Sequence, residues 1–244
     1  MNPIISGIRH YGFSRSVRFA LAELKLRVYN QMVLGSYSQF EEDLFLDRLT
    51  GGKKTGFYVD IGAFDPVRFN NTLRFYRRGW RGINIEPDQH QWDKFISQRP
   101  DDINLNVGAG NSSGKLMYYA MDPTTMSTFS EIQVKKYIRE GFYPVSKRKV
   151  PVMRLSEILS RYALHRTIDF VSIDVEGLEI DVLKGNDWKK FRPHVLCTES
   201  TKADKKNKNS YRTIVSYLHA KRYRLIRDNG LNTFYKDMQR EKII

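Results

Sequence analysis

The feature that most constrains the fold is a repeated alternation of short apolar runs with stretches of helical periodicity. Each run is rich in Val, Ile, Leu or Phe and is followed or closed by an acidic residue or a glycine. The runs lie at 57–61, 82–85, 103–107, 168–173 and 195–198. Strands that alternate with helices at this spacing predict a parallel sheet of βαβ units, and therefore the α/β fold class.

The end of the chain departs from that alternation. Two short strand-like segments, 223–227 and 233–236, flank Asp228-Asn229-Gly230, a strong signal for a β-hairpin turn. Five parallel strands followed by a hairpin predict a seven-stranded, mostly parallel sheet with a C-terminal antiparallel hairpin. This arrangement resembles Rossmann-like class I methyltransferases, whereas a dehydrogenase sheet does not normally end in a hairpin.

The N-terminal residues 1–37 are predicted to be a basic helical extension, with the main domain at 38–244. The extension has five basic residues and one acidic residue. Its apolar residues recur at helical spacing: Val17, Leu21, Leu24, Val28 and Met32. Such an amphipathic helix packs on its own domain, or it lies on an anionic membrane face or a partner. We expect the helix to pack on its own domain, and we keep the membrane face and the partner open as alternatives.

Residues 110–154 interrupt the alternation and are predicted to be an insertion over the active face. The pattern predicts extra strands at 115–120 and 147–153, with a basic helix within 126–141. From residue 132 to residue 154 there are seven basic residues and one acidic residue, a net charge of +6.

Composition limits the classes of partner and compartment. The net charge is +14, which suits nucleic acid, an anionic membrane, a phosphorylated or acidic substrate, or simply a solvated basic surface. The basic residues are scattered over three segments, which disfavours nucleic acid. No run approaches the roughly 18 apolar residues of a spanning helix. The single cysteine, Cys197, excludes an internal disulfide framework and fits a reducing compartment, so we predict a cytoplasmic protein, with peripheral attachment to the inner membrane face as a further option.

Acidic residues stand at four of the five strand ends, where an open parallel sheet binds its ligands. They are Asp60, Glu86, Asp174 and Glu199. The first strand turn has one glycine, Gly62, and lacks the G-x-G-x-x-G pattern of a pyrophosphate site. Acids repel a pyrophosphate but suit a cationic ligand such as an aminoacyl sulfonium. A plain strand-to-helix turn would also explain this turn.

The second and third strand ends suggest a nucleoside site. Glu86 lies 26 residues after Asp60, and an acid there can accept hydrogen bonds from both ribose hydroxyls. Glu86 can equally stand beside a helix start formed by Pro87 and Asp88, and both can hold at once. Val107 and Gly108 would then lie against the adenine.

These residues carry a family resemblance. The chain resembles the FkbM family of S-adenosylmethionine-dependent methyltransferases. The matching segments are S-Q-F-E-E-D at 38–43, F-Y-V-D-I-G-A at 57–63, N-T at 71–72, G-W-R-G-I-N-I-E-P at 79–87, I-D-V-E-G-L-E at 173–179, V-L-K-G at 182–185 and R-P at 192–193. The resemblance implies S-adenosylmethionine as cofactor and methyl transfer mostly to hydroxyl oxygens of sugars, glycans or polyketide-type metabolites.

The resemblance also implies roles for single residues. Asp60, Gly62 and Ala63 would hold the methionine part of the cofactor, and Glu86 its ribose. Phe64 departs from the many members that have histidine there. The residues expected to bind the cofactor are Ser38, Gln39, Asp60, Gly62, Ala63, Asn71, Thr72, Glu86, Pro87, Val107 and Gly108. Of these, Ser38 and Gln39 begin the S-Q-F-E-E-D segment at 38–43 and would close over the cofactor.

A hydroxyl acceptor needs a base within hydrogen-bond reach. Asp174 and Glu176, just past the fourth strand, are the leading candidates for this base. Glu199 is adjacent, at the end of the fifth strand. The three carboxylates could instead gather Mg²⁺, which would lower the pKa of the acceptor hydroxyl, but we do not favour a metal. Charge matching at a helix N-terminus is the structural alternative for Glu176 and Glu179.

The leading hypothesis is an O-methyltransferase acting on a saccharide or glycan intermediate. An RNA methyltransferase is the first alternative, suggested by the net charge of +14. The second is a noncatalytic S-adenosylmethionine-fold module that binds an anionic partner, although the acids at four strand ends argue against it.

Overall fold

The computed structural model describes residues 13–200 and 208–240, so residues 1–12 of the predicted extension lie outside the described part. The strands are β1 Phe57–Ile61, β2 Arg81–Ile85, β3 Ile103–Leu105, β4 Gly108–Gly110, β5 Gly114–Met121, β6 Pro144–Arg154, β7 Phe170–Ile173, β8 Val195–Glu199, β9 Tyr223–Asp228 and β10 Asn232–Asp237. The helices are α1 Phe13–Tyr29, α2 Glu42–Leu49, α3 Leu73–Arg78, α4 Gln89–Gln98, α5 Glu131–Arg139, α6 Leu155–Tyr162, α7 Glu179–Lys184 and α8 Lys208–Ala220.

Seven strands form the main sheet in the order β3-β2-β1-β7-β8-β10-β9. Strands β3, β2, β1, β7 and β8 pair in parallel, and β10 runs antiparallel to both β8 and β9. This confirms the predicted seven-stranded, mostly parallel sheet with its C-terminal hairpin. The chain moves outward from β1 in one direction and then from β7 in the other. The boundary between β1 and β7 is therefore the switch point at which such sheets bind ligands.

Both faces of the sheet are covered, which explains why the strand sequences are almost continuously apolar. Every residue of β1 is buried, and successive side chains point to opposite faces. Val59 packs in the core on the side of α6, α7 and α8. Tyr58 packs in a second core with Phe75, Trp80 and Phe170. Asp60 therefore interrupts an otherwise apolar buried strand.

The predicted insertion forms a second, three-stranded sheet of order β4-β6-β5, together with α5. The two extra strands and the basic helix are thus confirmed. The third apolar run is shorter than predicted, because β3 ends at Leu105 and residues from Gly108 onward join the second sheet. An added Cβ at Gly108 would lie 2.8 Å from the Phe129 ring, so a glycine there permits close packing of the insertion.

The predicted amphipathic helix is α1, followed by one π-helical turn, Asn30–Leu34. Its apolar face does not pack on the domain as expected, because Leu24 and Met32 are 53% and 82% exposed. The helix instead contacts the domain through Glu23, whose carboxylate pairs with Arg68. Within residues 13–200 and 208–240, no helix is both long enough and apolar enough to cross a membrane.

The aromatic cluster beneath the sheet provides a test of the packing. The Phe170 ring is fully buried and lies 4.7 Å from the Phe75 ring and 5.8 Å from the Tyr58 ring, centroid to centroid. Phe170→Ala should lower the free energy of unfolding by about 3–5 kcal/mol, because a large buried ring is lost and a cavity remains. The control Tyr143→Ala, at a side chain 60% exposed, should change it by less than about 0.5 kcal/mol. Urea denaturation measures both, and equal losses would contradict this packing.

Candidate active site

A cavity of about 640 Å³ opens at the carboxyl ends of β1, β2, β7 and β8. Most of the residues predicted for the site line it. They are Gln39, Asp60, Gly62, Ala63, Asn71, Glu86, Pro87, Gly108, Asp174, Glu176 and Glu199. The insertion lines the opposite wall through Tyr118, the segment 124–125 and the segment 127–129. Residues of the insertion thus line the same cavity as these strand ends, and an active face beneath the insertion stays a prediction.

Three predicted residues lie behind the cavity wall. The Thr72 hydroxyl contacts the Asp60 carboxylate at 3.0 Å. The Ser38 hydroxyl donates to Asp43 Oδ1 at 2.8 Å and fixes the loop that carries Gln39. Val107 packs against the larger of the two apolar cores. In this structure, these side chains support the residues that line the cavity.

Asp60 owes its environment to a buried arginine that the sequence did not reveal. Arg99 is 1% exposed; its Nη1 donates to the Thr72 hydroxyl at 2.7 Å and its Nη2 to Asn70 Oδ1 at 2.7 Å. Burial raises the pKa of Asp60 to about 6, and the Arg99 charge opposes that rise. Asp60 therefore remains available as an anion near neutral pH. Arg99 lies after α4 in an ordinary polar segment, so no motif marks it.

Gly62 brings the ends of β1 and β7 together. Its φ is +77°, and its N–H donates to the Ile85 carbonyl at 2.9 Å. An added Cβ would lie 1.7 Å from the carbonyl oxygen of Asp174. No side chain fits in that space, so this position requires glycine.

Glu86 is held rigidly by backbone donors. Oε2 accepts from the Phe64 N–H at 2.8 Å and Oε1 from the Asp88 N–H at 2.7 Å. Burial raises the pKa of Glu86 to about 8, against the effect of these two hydrogen bonds. Each carboxylate oxygen has a further acceptor site for a ligand hydroxyl. The expected helix start is also present, because Asp88 caps α4 by accepting from the Gln91 N–H at 3.1 Å.

Three carboxyl groups form a cluster at the β7 and β8 ends. Asp174, Glu176 and Glu199 each offer an oxygen within 4.8 Å of the others, and Asp174 is the most exposed of the three. The surrounding protein raises the pKa of Asp174 to about 6 and that of Glu176 to about 8. Burial and the Asp174 charge raise the pKa of Glu199 well above its usual range. The cluster therefore places three carboxyl groups with raised pKa values at one edge of the cavity.

The insertion holds this cluster in place. The Tyr137 hydroxyl donates to Glu176 Oε2, and Gln133 Nε2 donates to the Tyr137 hydroxyl at 3.1 Å. The Thr128 hydroxyl donates to the Glu176 carbonyl at 2.9 Å, where the backbone has a φ of +53°. Sequence reasoning missed Tyr137 because it lies 39 residues from Glu176, in a helix that resembles a basic surface helix.

Comparison with known proteins gives a family match. The family model described as the methyltransferase FkbM domain matches residues 60–225, which is more than half of the chain. No curated protein matches the chain.

Comparison with solved structures finds only distant similarity. An O-methyltransferase from Bacillus cereus in complex with S-adenosylhomocysteine is 10% identical, with 88% of this chain and 89% of that chain covered and a TM-score of 0.39. A Pyrococcus horikoshii protein described as a provisional RNA methyltransferase is 12% identical, with 81% and 83% covered and a TM-score of 0.40. M. capricolum TrmK with S-adenosylhomocysteine is 11% identical, with 80% and 68% covered and a TM-score of 0.37. All three TM-scores lie below 0.5, so the family assignment rests on the sequence match.

Gly62→Ala should destabilise the protein far more than an alanine at another positive-φ glycine. Gly230 has a φ of +93° and open space around a built Cβ, so Gly230→Ala should cost about 1–2 kcal/mol of backbone strain. Gly62→Ala adds the clash with the Asp174 carbonyl, and β1 and β7 must separate to relieve it. The free energy of unfolding, measured in urea, should therefore fall several-fold more. Equal losses in the two variants would contradict the close approach.

The raised carboxyl pKa values predict the pH dependence of stability. Burial raises the pKa values of Asp60, Glu86 and Glu179 in the folded chain to about 6, 8 and 7, against ordinary values of 3.8 for Asp and 4.5 for Glu. Between about pH 4 and pH 8, the folded chain therefore binds more protons than the unfolded chain. The contribution of these groups to the free energy of unfolding should fall as pH rises from about 4 to 8.

Glu86→Gln isolates one part of that dependence. The variant cannot titrate at this position, so its free energy of unfolding should depend less steeply on pH between 5.5 and 8. Glu131→Gln makes the same substitution at an exposed residue of α5 and is the control. Urea denaturation at several pH values measures the slopes, and identical slopes in both variants would refute the assignment.

Proposed function

The chain belongs to the FkbM methyltransferase family, and from this premise we propose that it transfers a methyl group from S-adenosylmethionine to a hydroxyl of a sugar, glycan or related metabolite. Methyltransferase activity with this cofactor follows from the family. The acceptor class and the residue roles below are our proposal, and the carboxyl group of Asp174 facing the cavity is the observation that carries it.

The cavity suits the cofactor in size and charge. A volume of about 640 Å³ lies within the range of small-molecule sites. When bound, S-adenosylmethionine supplies an electrophilic methyl group on a positively charged sulfur. Asp60, Gly62 and Ala63 would hold its amino-acid part, Glu86 its ribose, and Gly108 would lie beside its adenine. The acidic wall favours a cation over a dinucleotide, whose pyrophosphate it would repel.

Asp174 is positioned to accept the proton of the acceptor hydroxyl. The protein raises the pKa of this carboxyl group above its usual range, which makes its carboxylate a stronger base toward the hydroxyl proton. Glu199 lies beside it in the carboxyl cluster, and the Tyr137 hydroxyl donates to Glu176. The cluster thus places the candidate base beside two further carboxyl groups.

The wall provided by the insertion supports a hydroxyl-rich acceptor. Thr124, Thr125 and Ser127 line the cavity on this side. Hydroxyl side chains both donate and accept hydrogen bonds, so they match the hydroxyls of a saccharide. Phe129 adds an apolar surface against which a sugar ring can pack.

RNA remains the competing acceptor, because the net charge is +14 and β6 exposes Lys147, Arg148 and Lys149. A panel of nucleotide sugars, glycan fragments and short RNAs, scored by S-adenosylhomocysteine release, separates the two. Turnover with saccharides alone supports the proposal, and turnover with RNA alone would overturn its acceptor class. The cytoplasm as the site of action stays a prediction from the single cysteine.

Asp174→Asn should reduce turnover by about 10²–10⁴, the usual contribution of a general base. Glu176→Gln should also reduce turnover more than it reduces cofactor affinity, because Glu176 belongs to the same cluster. The control Asp187→Asn changes an exposed carboxylate and should leave turnover unchanged. Calorimetry with S-adenosylhomocysteine checks that each variant still binds the cofactor product.

Treatment with EDTA distinguishes the base from a metal ligand. Unchanged turnover supports a metal-free base, whereas loss of turnover that Mg²⁺ restores would make the carboxyl cluster a metal site. Near-normal turnover of both Asp174→Asn and Glu176→Gln would refute the assignment of the base.

A further inference from the structure

We propose that α1 docks this protein on an anionic membrane surface. The interaction is separate from methyl transfer, and it rests on the exposed side of the helix rather than on the cavity.

The exposed side of α1 and of the π-helical turn after it carries an apolar stripe. Leu21, Leu24, Val28 and Met32 have exposed fractions of 51%, 53%, 46% and 82%. At about 100° per residue, these four positions fall on one narrow stripe of the helix surface. Four large apolar side chains on one stripe form a contiguous patch, which marks an interaction surface.

The opposite side of the helix anchors it to the domain. Ala22, Glu23 and Leu26 line the cavity, and both Glu23 oxygens accept from the Arg68 guanidinium, at 2.6 and 2.7 Å. Asn30 Nδ2 donates to the Ser38 and Gln39 carbonyls, each at 3.2 Å. The apolar stripe is therefore not the surface by which α1 holds to its own domain.

The charge around the stripe selects the partner. Arg18 and Lys25 are exposed and lie beside the stripe on the helix surface. Glu23, the sole acidic residue in the α1 sequence, is already paired with Arg68. An apolar stripe flanked by positive charge fits anionic headgroups over acyl chains. A second copy of the helix would bring the same positive charges together, which disfavours self-association.

Docking has a consequence for the reaction. Because α1 forms part of the cavity wall, a membrane bound to its outer side lies close to the cavity. A saccharide carried on a lipid would then reach the site without leaving the surface. This consequence rests on the proposed function, whereas the docking itself does not.

The test uses the full chain and vesicles. Sedimentation with phosphatidylcholine vesicles is compared with sedimentation with phosphatidylcholine vesicles that contain phosphatidylglycerol. We expect the protein to bind the anionic vesicles only, and to bind more weakly as salt rises. A protein that stays in the supernatant with both vesicles at low salt would overturn the proposal, whatever its methyltransferase activity.

Two variants of α1 test the surface itself. Leu24→Glu with Val28→Glu should lower the vesicle partition coefficient by at least about tenfold, because apolar burial is lost and negative charge is added. Arg18→Glu with Lys25→Glu should lower it by at least about fivefold for each basic residue removed. The control Lys184→Glu with Lys189→Glu makes the same charge change at exposed positions away from α1 and should have little effect.

Two further readouts keep the result interpretable. All variants should bind S-adenosylhomocysteine with the wild-type affinity, since these side chains do not line the cavity. Vesicle binding by Leu24→Glu with Val28→Glu that equals wild type would overturn the proposal. A concentration-dependent dimer that this variant abolishes would assign the stripe to a second copy of the chain, and would also overturn it.

Discussion

The close approach of β1 and β7 at the switch point is the constraint on which the site depends. The Asp174 N–H donates to the Ile61 carbonyl at 2.9 Å, and Gly62 leaves room for the Asp174 carbonyl where any side chain would collide with it. This contact fixes the two strand ends that carry Asp60 and the carboxyl cluster. Loops that diverge on either side of it leave the cavity between them.

Gathering carboxyl groups around one cavity costs stability, because burial and like charge both disfavour the ionised forms. The raised pKa values of Asp60 and Glu86 record that cost. The protein partly offsets it with Arg99, whose guanidinium reaches Asp60 through Thr72. A cation bound in this site would stabilise the ionised carboxylates. Binding would therefore offset part of the stability that the carboxyl groups cost the unliganded protein.

Much of this fold could be predicted because its signals are local. The apolar runs and the Asp228-Asn229-Gly230 turn are short patterns, and each carries its own structural meaning. The acids at the strand ends were found because a parallel sheet brings carboxyl ends to one edge. The topology alone therefore predicts their proximity, before any contact is known.

The missed features depend on contacts between distant segments. Arg99, just after α4, and Tyr137, in α5, act on Asp60 and Glu176 from segments whose own sequences show no motif. The side of α1 that meets the domain could not be predicted for a related reason. Periodicity shows that a helix has an apolar stripe, but not that the side carrying Glu23 pairs with the distant Arg68.

The central claim is that the acidic cavity recognises the cationic cofactor, and calorimetric titration with S-adenosylmethionine in buffers of different ionisation enthalpy tests it most directly. Binding of S-adenosylmethionine should release protons near pH 7, because its sulfonium charge lowers the pKa values of the carboxyl groups. Binding of S-adenosylhomocysteine, whose sulfur is uncharged, should release fewer protons. NAD should not bind. Tight binding of NAD with no response to S-adenosylmethionine would contradict the account.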